Sequence, residues 1–231
     1  MQGQKASVQT SLQAIALKAE MQPGYRFQNL FGMLNEELLQ DSWRFIRKDA
    51  ASGIDRVSAD DYEQNLDENI NQLVEELKQK RYRAKLVLRR YIPKGNGKFR
   101  PLGLVATQDK LLQMAVKRIL QAIYEQDFLD CSFGYRPNIG ALDAVDRLSS
   151  ELQFGNYNYL VEADIKGFFD NLDREMLLEM LAERIDDKAM LWLIKKWLDA
   201  GVLDTDGKVL HPETGTQQGG IMTLPTIVQK T

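Results

Sequence analysis

Cysteine and histidine are almost missing from this chain of 231 residues, which holds one of each, Cys131 and His211. A single cysteine excludes an internal disulfide framework and fits a reducing compartment, so a cytoplasmic location is expected. A single histidine excludes histidine-based metal sites. Carboxylates are then the ligands left for a metal, which favours Mg²⁺ or a comparably hard ion. His211 itself reads as a loop residue. Long apolar runs are missing too. Nothing approaches the ~20 residues that span a bilayer, so no membrane partner is expected, and the polar N-terminus lacks signal-peptide architecture. What remains is an ordinary globular composition, 44% hydrophobic and 27% charged, with length enough for one domain or two small ones.

The formal net charge of −3 hides a segregation. Lys78 to Arg136 carries 14 Lys/Arg against 4 Asp/Glu, whereas the rest carries 16 against 29. A basic block of this kind suits phosphates or nucleic acid, and equally a solvated face balanced by acidic neighbours.

Apolar spacing predicts helices over Leu12–Ala19, Phe27–Arg47, Asp61–Lys80, Asp109–Gln126, Ala141–Gln153 and Glu175–Ala200. A break falls at Pro23-Gly24, and Asn171 or Asp173 is placed to cap the last helix. The period changes to two over Lys85–Ile92 and Phe99–Ala106, and Asn96-Gly97 between them is a hairpin signal. A short strand is expected over Tyr159–Ile165, and a second hairpin over Val202–Leu210 with its turn at Asp206-Gly207. The Trp192/Trp197 pair reads as core.

Four stretches have chemistry in them. In Val161-Glu162-Ala163-Asp164-Ile165-Lys166-Gly167-Phe168-Phe169-Asp170, an Asp at the end of a buried strand is a perch for a metal-binding carboxylate, or simply a polar strand end. Arg89, Arg90, Lys94, Lys98 and Arg100 make the first hairpin basic. Alternation puts Lys98 and Arg100 on one face, fit for a phosphate chain or for solubility. Gly134-Tyr135-Arg136-Pro137 sets an Arg beside an aromatic, and Gly215-Thr216-Gln217-Gln218-Gly219-Gly220 lets the backbone approach a ligand.

The order of these blocks resembles one family. Tyr91-Ile92-Pro93-Lys94-Gly95-Asn96-Gly97-Lys98-Phe99-Arg100-Pro101-Leu102-Gly103 is similar to the fingers hairpin of group II intron reverse transcriptases (maturases). Ser52-Gly53-Ile54-Asp55 matches a block upstream of it. Asp109-Lys110-Leu111-Leu112-Gln113 and Ser132-Phe133-Gly134-Tyr135-Arg136-Pro137 look like the next block. Ala163 to Asp170 looks like the first palm motif, and Gly215 to Gly220 like the Gly-Thr-Pro-Gln-Gly-Gly loop.

The resemblance implies an α+β fold, a reverse-transcriptase fingers region plus an incomplete palm, with antiparallel strands and packed helices. Residues 1–26 would be an N-terminal extension, 27–155 the fingers and 156–231 the partial palm. The family's Tyr-Ala-Asp-Asp turn is not reached by Thr231, so the chain reads as a truncated RNA-directed DNA polymerase, inactive alone. Asp164 would be one of three aspartates holding two Mg²⁺ ions, with the Ile165 carbonyl as a further ligand. Lys94 and Arg100 would hold the dNTP triphosphate, Phe169 would exclude a 2′-hydroxyl, and Gln218 and Gly219 would line the pocket at the nascent base pair. Arg89, Arg90, Lys98 and Arg136 would contact nucleic acid. The implied partners are a template or group II intron RNA, a DNA or RNA primer and dNTP, with a homodimer possible through exposed apolar surface. The sequence departs from the family at Gln217, where Pro is usual, at Asn138-Ile139-Gly140, and after Gly220. A non-catalytic RNA-binding module and a fragment of a retron-like or defence-associated reverse transcriptase are the competing expectations.

Overall fold

The computed structural model describes residues 8–95 and 97–216. Helix α1 covers Val8–Met21 and stops before Pro23-Gly24. The helix expected from Phe27 forms only in part, as a 3₁₀ turn at Phe31–Met33 followed by α2, Glu36–Trp43. Tertiary hydrogen bonds override the helical spacing there. Phe27 pairs with Ile185 in an isolated parallel bridge, Asp187 accepts the Phe31 N–H at 2.8 Å, and Asn35 caps α2 through Leu38 N–H. The helix expected over Asp61–Lys80 is two, α3 (Ala59–Glu63) with a Ser58/Asp61 capping box and α4 (Leu66–Lys78).

The basic hairpin is β1 (Val87–Gly95) and β2 (Lys98–Leu104), paired antiparallel with an irregularity between Pro93 and Gly95. Asn96 of the expected turn lies outside the described residues. Next come α5 (Thr107–Tyr124) and α6 (Ala141–Phe154). The single helix expected over Glu175–Ala200 is divided into α7 (Arg174–Ala182) and α8 (Lys188–Leu198), each opened by an aspartate cap, Asp173 and Asp187. Strands β3 (Val202–Leu203) and β4 (Val209–Leu210) form the second expected hairpin, and Gly207 in its turn has φ 83°. The sheet order is β2-β1-β3-β4, and β1 pairs with β3 in parallel, unlike the other pairs. A parallel partner needs a long crossover, which α5 through α8 supply.

The strand expected over Tyr159–Ile165 is absent. Tyr159 is 91% and Val161 89% exposed. Strand propensity is realised only against a neighbouring strand, and among the described residues none lies beside this segment.

One apolar cluster draws on α1, α2, α4, α5, α7 and α8, so packing crosses both boundaries expected near residues 26 and 155. Helix α5 is its centre, with Leu111, Leu112, Ala115, Ile119 and Ile123 fully buried. Each such Leu or Ile contributes roughly 1.5–3 kcal/mol by leaving water. A separate small cluster, Val87, Val105 and Val202, sits at the base of the hairpin. Among the described residues no helix is long and apolar enough to cross a membrane.

A buried polar chain ties the large cluster to the segment entering β1. Asp109 accepts from Tyr82 Oη at 2.7 Å and from Lys85 N–H at 2.9 Å, and Trp197 Nε1 donates to Tyr82 Oη at 2.7 Å. Beside it, Lys85 Nζ reaches Asp55 at 2.8 Å, and Lys110 Nζ reaches the Ala51 carbonyl at 2.6 Å. Gly53 lies so close to the strand-to-helix junction that a Cβ there would stand 2.5 Å from Ala106 N. The Ser52-Gly53-Ile54-Asp55 block is therefore a strap across the entry to β1.

Burial pushes the Asp109 carboxyl above its ordinary value, while the Tyr82 and Lys85 hydrogen bonds pull the other way. An acid whose folded pKa is raised contributes stability that is full below the unfolded value near 3.8 and is lost as pH rises through the folded value. Asp109→Asn removes that dependence. The stability of the native chain minus that of the variant should fall with rising pH across this window, measured by urea unfolding at a series of pH values. Asp109→Ala strands two buried donors and should cost about 3 kcal/mol in the same assay.

Candidate nucleic-acid interface

Directly opposed residues of an antiparallel pair share a face. The register Arg90↔Leu102 and Ile92↔Arg100 puts Arg90 and Arg100 on one side of the hairpin, and alternation adds Lys98. Lys94 lies at the irregularity near the tip. All four cations are exposed, and among the described residues none has a hydrogen-bond or ion-pair partner. Arg89 faces the other way and is taken up internally, in an ion pair of 3.3 Å with Asp204. The Thr205 N–H, with a smaller share from Arg89, holds the Asp204 carboxyl below its usual range.

Arg136 is also used internally. Its Nε and Nη2 bond Glu125 at 2.8 and 2.7 Å, its Nη1 donates to the Ser132 carbonyl at 2.9 Å, and its guanidinium lies over the Phe128 ring. A fork spent this way closes the 128–137 loop and has little left for a phosphate. The loop instead projects Tyr135, 59% exposed with φ 59°, whose ring meets Phe169 edge-to-face at 6.3 Å. Phe169 also touches Phe168 at 5.3 Å. Residue spacing holds no hint of the Tyr135–Phe169 contact. An aromatic beside a loop-closing arginine is the one available signal.

Asp164 and Ile165 are exposed on the irregular stretch before Gly167. Just after them, Phe169–Leu172 is docked against the start of the glycine-rich loop. Thr216 N–H donates to the Phe169 carbonyl and Gly215 N–H to the Leu172 carbonyl, both at 2.8 Å. Thr214 Oγ1 donates to the Asp170 carbonyl at 3.2 Å, and Arg174 Nε secures the Gly215 carbonyl at 2.9 Å. Burial pushes the Arg174 guanidinium below its ordinary value. A cavity of ≈ 190 Å³ lies between this dock and the hairpin, lined by Arg89, Pro101, Gly103, Asp170, Arg174 and Thr216 among others. The structure thus brings the first palm motif, the start of the glycine-rich loop and the Arg89 side of the hairpin around one cavity. Gln218 and Gly219 lie outside the described residues.

Among the described residues, no three His, Cys, Asp or Glu side chains are grouped to hold a metal ion. Asp164 and the Ile165 carbonyl do not by themselves fit the two-magnesium site expected.

Gly215 has φ 83°, and a Cβ on it would come within 2.8 Å of the carbonyl oxygens of Phe169 and Asp170. Gly215→Ala should undock this contact and speed hydrogen exchange at the Gly215 and Thr216 amides at least tenfold. Gly207→Ala also has φ 83° but meets nothing within 4 Å. It should show only the backbone penalty, on the order of 1–3 kcal/mol, with those two amides unchanged.

A family model described as reverse transcriptase (RNA-dependent DNA polymerase) matches residues 92–231. The group II intron-encoded protein LtrA of Lactococcus lactis subsp. cremoris is 41% identical over 157 residues, 68% of this chain and 26% of LtrA. Protein YkfC of Escherichia coli K12 is 29% identical over 215 residues, 90% of this chain and 56% of YkfC. The putative COX1/OXI3 intron 2 protein of Saccharomyces cerevisiae is 31% identical over 153 residues, 66% of this chain and 18% of that protein. A chain of a solved partial Cas6-RT-Cas1--Cas2 complex superposes with a TM-score of 0.49 at 20% identity, over 81% of this chain and 31% of that one. This chain therefore spans about a quarter of the length of LtrA. On the matched residues and these identities, the chain belongs to the reverse transcriptases of the group II intron-encoded, maturase type.

Proposed function

We propose that this chain supplies the fingers (27–155) and the first palm segment (156–231) of an RNA-directed DNA polymerase, and that its hairpin grips the phosphates of RNA and of an incoming dNTP. The observation that carries this is the division among the cations. Arg89 and Arg136 are spent inside the protein, whereas Arg90, Lys94, Lys98 and Arg100 stand exposed and unpaired among the described residues. Exposed cations that share a face bind a polyanion by releasing its counterions. In this reading Lys94 and Arg100 take the triphosphate and Phe169 lies under the sugar. Phe169 is suited to that place because Tyr135, Phe168 and the Thr216 N–H hold it from three sides. The wider partners are a template or group II intron RNA and a primer. Gln218 and Gly219, outside the described residues, are assigned in this reading to contacts with the nascent base pair.

Asp164 is the chain's share of a Mg²⁺ site, and the remaining carboxylates have to come from outside the described residues. The 231-residue chain by itself should extend no primer. Steady extension by the purified chain, abolished by Asp164→Asn, would show that it assembles a complete site.

Binding is tested by titrating a structured group II intron RNA and an unstructured RNA of equal length across a range of salt. We expect tight, salt-sensitive binding that favours the intron RNA. Replacing Arg90, Lys98 or Arg100 with Ala should each lower the slope of log affinity against log salt by about 1, while Arg136→Ala should leave the slope unchanged. Equal and salt-insensitive binding of both RNAs would remove RNA recognition from the reading. Tight binding with no primer extension even after the downstream part of a longer relative is added in trans would favour the non-catalytic module.

A further inference from the structure

The hairpin has a second face, and it is aromatic. Tyr91 stands opposite Pro101 and Phe99 opposite Pro93. These four share the side that Arg89 takes, away from Arg90, Lys98 and Arg100. Phe99 is 63% and Tyr91 46% exposed, and among the described residues neither ring packs on another aromatic. The Tyr91 hydroxyl donates to Asp204 at 3.5 Å, which anchors that ring beside the β3–β4 turn. Asp204 itself is already paired with Arg89. Diagonal positions of an antiparallel pair lie roughly 7–8 Å apart, room enough for each ring to take its own partner. On the other diagonal, Pro93 and Pro101 are short and rigid and have no N–H to offer. The result is an apolar surface with two open rings, on the arm rather than in the helical core.

We propose that this face stacks unpaired bases of RNA, one on Phe99 and one on Tyr91. Charge selects the partner. From Arg81 to Gln108 the chain holds eight Lys/Arg and no Asp or Glu, so a ligand that reaches the rings meets cations on the way and has to be a polyanion. A second copy of the hairpin would set those cations against their like. A β-strand is refused as well, because β2 is the outer strand of the sheet and bears Lys98, Arg100 and Pro101, residue types that blunt an edge. A duplex keeps its base faces inside its own stack. Unpaired RNA has both the charge and the open faces, and rings set among cations hold such a strand without regard to its sequence. Position completes the match. Lys98, Phe99 and Arg100 alternate along the free edge, so a single strand crossing that edge can leave its phosphates with the cations and turn its bases onto the rings. The inference rests on the proposed grip on RNA and adds that the RNA gripped there is single-stranded.

The test compares the affinity of the purified chain for a short oligo(A) with its affinity for an abasic ribose-phosphate chain of equal length, across a range of salt. We expect oligo(A) to bind more tightly by about tenfold or more. Phe99→Leu and Tyr91→Leu keep an apolar side chain at an exposed position, so neither disturbs the core. Each should lower the affinity for oligo(A) about tenfold, while the affinity for the abasic chain and the salt slope stay unchanged. Phe99→Trp should keep the affinity, and its added fluorescence should be quenched by oligo(A) and not by the abasic chain. Equal affinity for the two chains, or leucine variants that bind oligo(A) as the native chain does, would overturn the stacking and leave the phosphate grip standing. A preference for oligo(A) that ignores salt would keep the stacking and remove the grip. Binding of neither chain would overturn both.

Discussion

Asp109 is a carboxylate kept 2% exposed at the first turn of α5, and the protein is arranged so that it never lacks a donor. Tyr82 and the Lys85 amide give it two hydrogen bonds, and Trp197 holds Tyr82 in place from α8. Through that chain the central helix, the last helix of the core and the chain entering β1 share one fixed geometry. A buried charge is costly unless satisfied. The hairpin cannot change its root without exposing that cost. The neighbouring Lys85–Asp55 and Lys110–Ala51 contacts, with Gly53 packed against the Ala106 backbone, brace the same point from outside. A sequence block that resembles a family signature is here a mechanical strap.

The candidate site is organised by how arginines are used. Of those used internally, Arg89 and Arg174 line the cavity and Arg136 closes the 128–137 loop. Each satisfies carbonyls or carboxylates that would otherwise be stranded. The cations that share the outer face of the hairpin have nothing to satisfy but solvent or a ligand. The contrast between Arg89 and Arg90, adjacent in sequence and opposite in role, follows from strand alternation alone.

That alternation is legible in the order of the residues, as are the hairpin, the Asp173 cap, and the cores of α4 and α5, because each rests on local spacing. The features that spacing does not reveal depend on partners far away in sequence. Phe27–Leu30 has a helical pattern but is drawn into a bridge with Ile185. Asp186-Asp187 sits within a helical pattern, yet Asp187 caps α8 and also binds Phe31 N–H. Tyr159–Ile165 has the residues of a strand without a neighbouring strand among the described residues. Arg136 carries the chemistry of a phosphate ligand, but its motif does not disclose the Glu125 and Ser132 oxygens that occupy it.

The hairpin rests on only three buried valines, Val87, Val105 and Val202, apart from the large helical core. Beyond them β1 extends about 27 Å at ~3.4 Å per residue. It is a long arm on a small pivot. A tilt of ~10° at the valines would carry the tip near Lys94 by about 5 Å, by the geometry of a stiff ribbon. The polar chain around Asp109 holds the root, so this swing would repack the three valines, strain the short β1–β3 pairing and the Arg89–Asp204 ion pair, and leave the helices undisturbed. The tip can therefore move without the helical body of the protein having to yield.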